Sequence, residues 1–239
     1  MIQAALNGNR NTDWHPAVPV GADAIAAAAV AAVAAGAACL HVHPRGADGL
    51  ESLEPAAVEP VLHAVRAAVP GVPVGISTGD WIAPRGRARI DRLAALVEKP
   101  DYVSVNLSEV DAPDVIAAAL GLGIGVEAGL FDVADVDRLA TLPQRGACLR
   151  LLVEIGEQDE AEARAAFDAV VLAIVRHRLE APPLAHGFDD QLWSVNRAAI
   201  GLGLDIRTGL EDGRLLPDGG LARDNADLVA AAVRLVQSG

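Results

Sequence analysis

The chain has 239 residues, 52% of them hydrophobic and 21% charged, enough to bury a full core in a single domain spanning 1–239. A formal net charge of −13 argues against nucleic acid or an anionic membrane as a partner, so an acidic ligand has to be met by local arginines. Lys99 is the only lysine, and Schiff-base chemistry would rest on that residue alone.

Residues 2–6 form an apolar run closed by the Asn7-Gly8 turn signal and read as a first strand. No basic segment followed by an apolar core opens the chain, so no signal peptide is expected. A polar loop through His15 and Pro19 leads to a helix predicted over 22–35, with Asp23 near its start and Gly36 after its end. This alanine-rich stretch carries Asp23 and Gly36 and reads as a helix packed on a sheet rather than a membrane span. The pattern then alternates. Strands are expected over 39–43, 72–77, 102–105, 124–127, 149–153, 184–186 and 205–208. Helices are expected over 53–69, 85–97, 113–120, 133–142, 160–178, 193–201 and 225–236. Eight strand–helix units in a chain of this length point to the α/β class and a closed (β/α)8 TIM barrel. The run Gly121-Leu122-Gly123-Ile124-Gly125 leads into a strand, the wrong context for a dinucleotide fingerprint. Cys39 and Cys148 lie apart in apolar runs and read as buried thiols in a reducing cytoplasm.

Active sites of such barrels form at the C-terminal ends of the strands. The first strand delivers Asn7 and Arg10 there, the second His41, His43 and Arg45, and the third Ser77 and Thr78. The fourth delivers Ser104 and Asn106, the fifth Glu127, the sixth Glu154 and the seventh His186. The eighth brings Arg207, Glu211 and Asp212. In Leu40-His41-Val42-His43-Pro44-Arg45, alternation along a strand turns both imidazoles to one face, where two can reach one metal ion. Strand eight closes against strand one, beside strand two, so Glu211 can approach His41 and His43. Two histidines, one carboxylate and an open position suit a catalytic zinc ion. Asp212 would stand beside it as a base with Arg207 as its charge partner. Gly209-Leu210-Glu211-Asp212-Gly213 also has the composition of a solvated turn, and on spacing alone that alternative stands. Lys99 precedes strand four, on the opposite face of the barrel. His63 and His177 fall on helices and read as structural, while His15 and His186 carry no assigned role.

The sequence resembles the β-keto acid cleavage enzymes, a family of (β/α)8 metalloenzymes that includes the 3-keto-5-aminohexanoate cleavage enzyme. The likeness lies in Ala5-Leu6-Asn7-Gly8, His15-Pro16-Ala17-Val18-Pro19-Val20, the His41 segment, Gly75-Ile76-Ser77-Thr78-Gly79 and Ser104-Val105-Asn106-Leu107-Ser108-Glu109. It continues through Gly125-Val126-Glu127-Ala128-Gly129-Leu130, Arg207-Thr208-Gly209-Leu210-Glu211-Asp212, Pro217-Asp218-Gly219 and Asp224-Asn225-Ala226. The resemblance implies zinc ligands at His41, His43 and Glu211, a general base at Asp212 and an orienting arginine at Arg207. It also implies substrate-pocket roles for Ser77, Ser104, Asn106 and Glu127, to which the rim position adds Asn7 and Arg45. The implied reaction joins a β-keto acid to acetyl-CoA and gives acetoacetate and a new acyl-CoA, in a homo-oligomer. After strand six, where better-studied members carry a glycine-rich loop that helps hold CoA, this chain has the short acidic stretch Glu154-Ile155-Gly156-Glu157-Gln158-Asp159. Two alternatives therefore stand beside the first: a metal-dependent hydrolase or carbon–carbon lyase acting without CoA, and a non-catalytic barrel that binds a metal or metabolite.

Overall fold

A computed structural model describes residues 1–82 and 85–238. Among these residues, eight parallel strands pair in chain order and close into a barrel: β1 (Ile2–Ala5), β2 (Cys39–Val42), β3 (Val74–Ser77), β4 (Tyr102–Asn106), β5 (Gly125–Leu130), β6 (Arg150–Ile155), β7 (Pro183–Gly187) and β8 (Asp205–Thr208). The strands alternate with α1 (Ala22–Ala34), α2 (Pro55–Ala68), α3 (Arg87–Ala95), α4 (Ala112–Gly121), α5 (Val133–Thr141), α6 (Glu160–His177), α7 (Leu192–Gly201) and α8 (Asn225–Ser238). The architecture is the expected (β/α)8 TIM barrel. No helix among the described residues is long and apolar enough to cross a membrane.

Alternation along each strand divides the barrel into two chemistries. One alternate set, including Ile2, Ala4, Leu40, Val42, Val103, Val105, Val126, Val153 and Ile206, joins the hydrophobic cluster with the buried helix faces. Small Ala and Val side chains let the helices lie close on the sheet, which accounts for a core with few aromatics. The other alternate set faces the barrel axis and is mostly polar. Gln3 Nε2 donates to Tyr102 Oη at 3.0 Å and to Glu127 Oε1 at 2.6 Å, and Arg150 Nε lies 3.2 Å from Glu127 Oε1. Tyr102 donates its hydroxyl proton to the Leu40 carbonyl. These groups bind one another and plug the middle of the barrel, so the open end above them can be a site.

The helix starts are locally encoded. Asp132 caps α5 by accepting from Asp135 N at 3.0 Å. Asp159 caps α6 by accepting from Ala161 N at 3.0 Å and Glu162 N at 3.1 Å. β4 and β7 run one residue past their expected ends, and two strands run further still. β5 continues past Glu127 to Leu130 and β6 past Val153 to Ile155. In both, a glutamate facing the barrel axis interrupts the apolar run without ending the strand. The 3₁₀ turns Pro143–Gly146 and Asp189–Gln191 are further elements that hydrophobic periodicity does not signal.

Arg89 of α3 is fully buried; it donates to the Thr78 carbonyl at 2.6 Å and pairs with Glu109 and Asp111. Removing the guanidinium leaves two carboxylates uncompensated in a region with little water. Arg89→Met is expected to lose about 3–5 kcal/mol of stability, measured by urea unfolding.

Candidate active site

β2 turns His41 toward the axis, and His43 follows just past the strand end. Asn7 pins that extension, donating through Nδ2 to the His43 carbonyl at 2.9 Å and accepting from His43 N at 2.8 Å. The two imidazoles then meet edge to face, with their Nε2 atoms 3.0 Å apart. Glu211 reaches them from the turn after β8. Its Oε1 lies 3.3 Å from His43 Nε2 and 3.8 Å from His41 Nε2. The turn is held by Glu211 N donating to the Ala5 carbonyl at 3.3 Å and Leu210 N donating to Asn225 Oδ1 at 2.8 Å. Gly209 makes the approach possible, because any side chain there would run into the Ala5 backbone.

Arg207 lies beneath Glu211, fully enclosed. Its Nε is 3.2 Å from each Asp212 carboxylate oxygen, its Nη2 donates to Asp212 Oδ1 at 2.7 Å, and Nη2 also pairs with Glu211. His186 stands between two acids, with Nδ1 3.5 Å from Asp212 Oδ1 and Nε2 3.4 Å from Glu154 Oε2. Four carboxylates, Glu51, Glu154, Glu211 and Asp212, thus gather around one guanidinium and three imidazoles. Such a cluster is short of positive charge.

The electrostatics reflect that deficit. Burial would raise the Glu211 carboxyl, but Arg207, His43 and His41 outweigh it and hold it well below the usual carboxylate range. Burial would lower His43, yet Glu211 and Glu51 carry it up to about 9. Burial dominates at His41, which falls well below the ordinary histidine value. Burial likewise raises Asp212 above the usual aspartate value against the pull of Arg207.

His41, His43 and Glu211 offer ligand atoms that all lie within 4.8 Å of one another. The residues fit a divalent cation on two further grounds. Glu211 Oε2 is buried without a hydrogen-bond partner, and the Nε2 atoms of His41 and His43 lie 3.0 Å apart with Glu211 Oε1 within 3.8 Å of each. Two nitrogens and one carboxylate oxygen are a donor set suited to zinc with open positions left for substrate.

A cavity of about 310 Å³ opens over this cluster. His41, His43, Glu211, Arg207, Ser77, Ser104 and Asn106 all line it, as does Arg10 at its mouth. Four other residues expected at the site are outside its wall. Asn7 is buried behind His43 and spends its amide on that backbone. Arg45 turns away, donating to the carbonyls of Gly8, Arg10 and Gly49, because it is a loop residue paired with Glu51. Glu127 lies one layer down and accepts from Ser104 Oγ at 2.8 Å, fixing that hydroxyl from below. Asp212 is fully buried behind the Arg207 guanidinium. His15 joins the Ala222 carbonyl at 3.0 Å, away from the cavity. Lys99 donates to the Leu96 carbonyl at 2.7 Å, in the loop before β4.

Glu51 is the main residue that sequence patterning misses. It accepts from His43 Nδ1, and its other oxygen accepts from Trp81 Nε1 at 3.0 Å. Only the antiparallel bridge between Arg45 and Glu51 folds it back, and no motif spacing signals that. Phe131 and Phe188 also line the cavity. Their signal was present: phenylalanine is scarce in this chain, and each follows a strand end.

The sequence matches the family model of the beta-keto acid cleavage enzymes over residues 1–238. The chain belongs to that family. It is similar to the 3-oxoadipate:acetyl-CoA acetyltransferase of Cupriavidus necator, 29% identical over 99% of this chain and 88% of the relative. It is 26% identical to the 3-keto-5-aminohexanoate cleavage enzyme of Fusobacterium nucleatum subsp. nucleatum, over 99% of this chain and 91% of the relative. Its fold resembles that of a solved ternary complex of ObcA with a C4-CoA adduct and oxalate, with a TM-score of 0.75 and 19% identity. That match covers 93% of this chain and 64% of ObcA, so this family member spans less than two thirds of the ObcA chain.

The Glu51 contact has a measurable consequence. A carboxylate on the far nitrogen of a histidine ligand fixes the ring and raises its basicity. Glu51→Gln is expected to weaken zinc affinity by about 10 to 100-fold, read by competition with a chromophoric chelator.

Proposed function

We propose that this chain is a zinc-dependent β-keto acid cleavage enzyme that uses acetyl-CoA, converting a β-keto acid and acetyl-CoA to acetoacetate and a new acyl-CoA. The observation that carries the proposal is the convergence of His41, His43, Glu211 and Arg207 in one cavity of a chain of this family. The name of the Cupriavidus relative, an acetyl-CoA acetyltransferase, supports the choice of co-substrate.

His41, His43 and Glu211 would hold zinc, which when bound acts as a Lewis acid toward a chelated keto group. Ser104 has its proton engaged by Glu127, so its oxygen faces the cavity as an acceptor. The Ser77 hydroxyl and Asn106 amide supply further polar contacts in the same wall. Arg207 is the buried cation nearest an incoming substrate carboxylate. Asp212, bonded to that guanidinium, has a raised affinity for a proton that suits it to take one from the carbon between the keto and carboxyl groups. Asn7 and Glu51 serve as positioning residues for His43. The low-dielectric walls of Leu152, Phe131 and Phe188 keep water from the reacting carbon.

One observation favours a second possibility, cleavage without CoA. The segment after β6 carries Glu157, Asp159, Glu160 and Glu162, a poor host for CoA phosphates. Product analysis separates the two. Zinc-loaded protein and a panel of β-keto acids are expected to give acetoacetate and a new acyl-CoA only when acetyl-CoA is present. Cleavage independent of acetyl-CoA selects the second possibility, and no turnover of any β-keto acid removes both. Asp212→Asn is expected to keep its zinc, by metal analysis, and to lose kcat by about 10² to 10⁴. Full activity in that variant would overturn the assignment of the base.

A further inference from the structure

Glu109 follows the end of β4, outside the catalytic cavity, and is 7% exposed. Three donors converge on its carboxylate. Arg89 pairs with Oε2. Asp80 N donates to Oε1 at 3.0 Å, and Asn106 Nδ2 donates to the same oxygen at 3.3 Å. Two of these three lead to the cavity. Asn106 lines it directly, and Asp80 is followed by Trp81, which lines it too.

The surrounding backbone does not need this carboxylate. Arg138 donates to the carbonyls of Leu107, Glu109 and Val110, and Glu109 N donates to the Asn106 carbonyl at 3.1 Å. Arg89 has a second acidic partner in Asp111, whose other oxygen accepts from Gly86 N. The turn and the cation are thus held twice, but the Asn106 side chain is held once. Among the described residues, the bond to Glu109 is the only hydrogen bond its amide makes.

That bond has a direction. A carboxylate only accepts, so Nδ2 faces Glu109 and Oδ1 faces away. The second Nδ2 proton and Oδ1 remain for a ligand. The two ends of an amide are nearly equal in shape, so the charge of Glu109 decides which is presented. A glutamine could not do the same. It has one acceptor oxygen, which the Arg89 cation would claim. Its amino group would then confront the Asp80 N–H and the Asn106 amino group, three donors without an acceptor. Asn106 relieves the conflict by turning its Oδ1 over.

We infer that Glu109 is a positioning residue for the substrate wall: it holds the Asn106 amide in one orientation toward the bound β-keto acid and does not touch the substrate itself. The inference rests on the β-keto acid cleavage activity proposed above, and its test has an arm that needs no substrate.

Nuclear magnetic resonance of the Asn106 side-chain amide, identified by its loss in Asn106→Ala, reads the orientation in zinc-loaded protein. In wild type the two amide protons are expected to exchange unequally, the one held by Glu109 slower by at least about 10-fold. Glu109→Gln is expected to shift this pair of signals. It is also expected to raise KM about 10-fold, with kcat within about threefold, for the most active of 3-oxohexanoate, 3-oxoadipate and 5-amino-3-oxohexanoate. Asp111→Asn removes the other acid on Arg89 and is expected to leave the signals and KM as they are, whereas a purely structural role for Glu109 would make the two variants alike. Asn106→Ala is expected to carry the same rise in KM, and adding Glu109→Gln to it to change nothing more. Equal exchange of the two protons in wild type, an unmoved signal in Glu109→Gln, the same rise in KM in Asp111→Asn, or a further rise in the double variant overturns the inference. If the variants do not fold, the wild-type exchange decides. A moved signal with no turnover of any β-keto acid by wild type supports the positioning role while the proposed reaction fails.

Discussion

The site exists because the last strand closes on the first. β8 pairs with β1 in parallel register, Gln3 opposite Arg207 and Ala4 opposite Thr208. The chain then presses Gly209 against the Ala5 backbone and turns, and the amide of Glu211 takes the Ala5 carbonyl that the sheet leaves free. This single closure brings a carboxylate from near the end of the chain within 4 Å of histidines from its first fifth. Every other feature of the candidate site depends on it. Asp212 and Arg207 are one residue and four residues from Glu211, so the same turn sets the ion cluster beneath the cavity.

That cluster also explains why so many polar groups survive inside a barrel. Burying charge is costly unless partners are present, and the groups here are linked in a chain of contacts: Asn7 to His43, Glu51 to His43, Glu211 to Arg207, Arg207 to Asp212, Asp212 to His186, and His186 to Glu154. The partners come from β1, β2, β6, β7 and β8 and the loops that follow them. Such a network constrains geometry more than it adds stability, since apolar residues of similar size would suit the core equally well. Its retention at the open end, where a cavity of about 310 Å³ begins, fits a role in chemistry rather than in folding.

Much of this was legible in the sequence, for a physical reason. Strand–helix alternation with short connections leaves few topologies open, and the barrel then fixes which end of each strand carries the site. His41 and His43 stand out by period-two spacing, and barrel closure lets Glu211 approach them, although on spacing alone its segment reads equally as a solvated turn. What the sequence hid was contact made by loops folding back. Glu51 is eight residues from His43 in sequence and returns to it through one isolated bridge. Arg45, with the right charge at the right height, is drawn out of the cavity by three backbone carbonyls. Glu127 and Asp212 sit one layer below the surface they were expected to form. Sequence position gives height along a strand only to within a residue or two, and one residue separates a wall from a floor. The early ends expected for β5 and β6 share that cause, because a buried glutamate looks like a strand terminus until its partner is known.

The polar plug across the barrel has a further consequence. Gln3, Tyr102, Glu127 and Arg150 are tied to one another and to the Leu40 carbonyl, and all are buried. A bound molecule cannot lengthen downward without breaking that lattice of bonds. The floor therefore acts as a fixed stop, and the site measures its guests from that stop outward. Extra carbons must run toward Phe131, Phe188 and the mouth, where loops rather than strands form the wall. Selection for chain length in this scaffold would then be rewritten by changes in loops, while the stop itself stays in place.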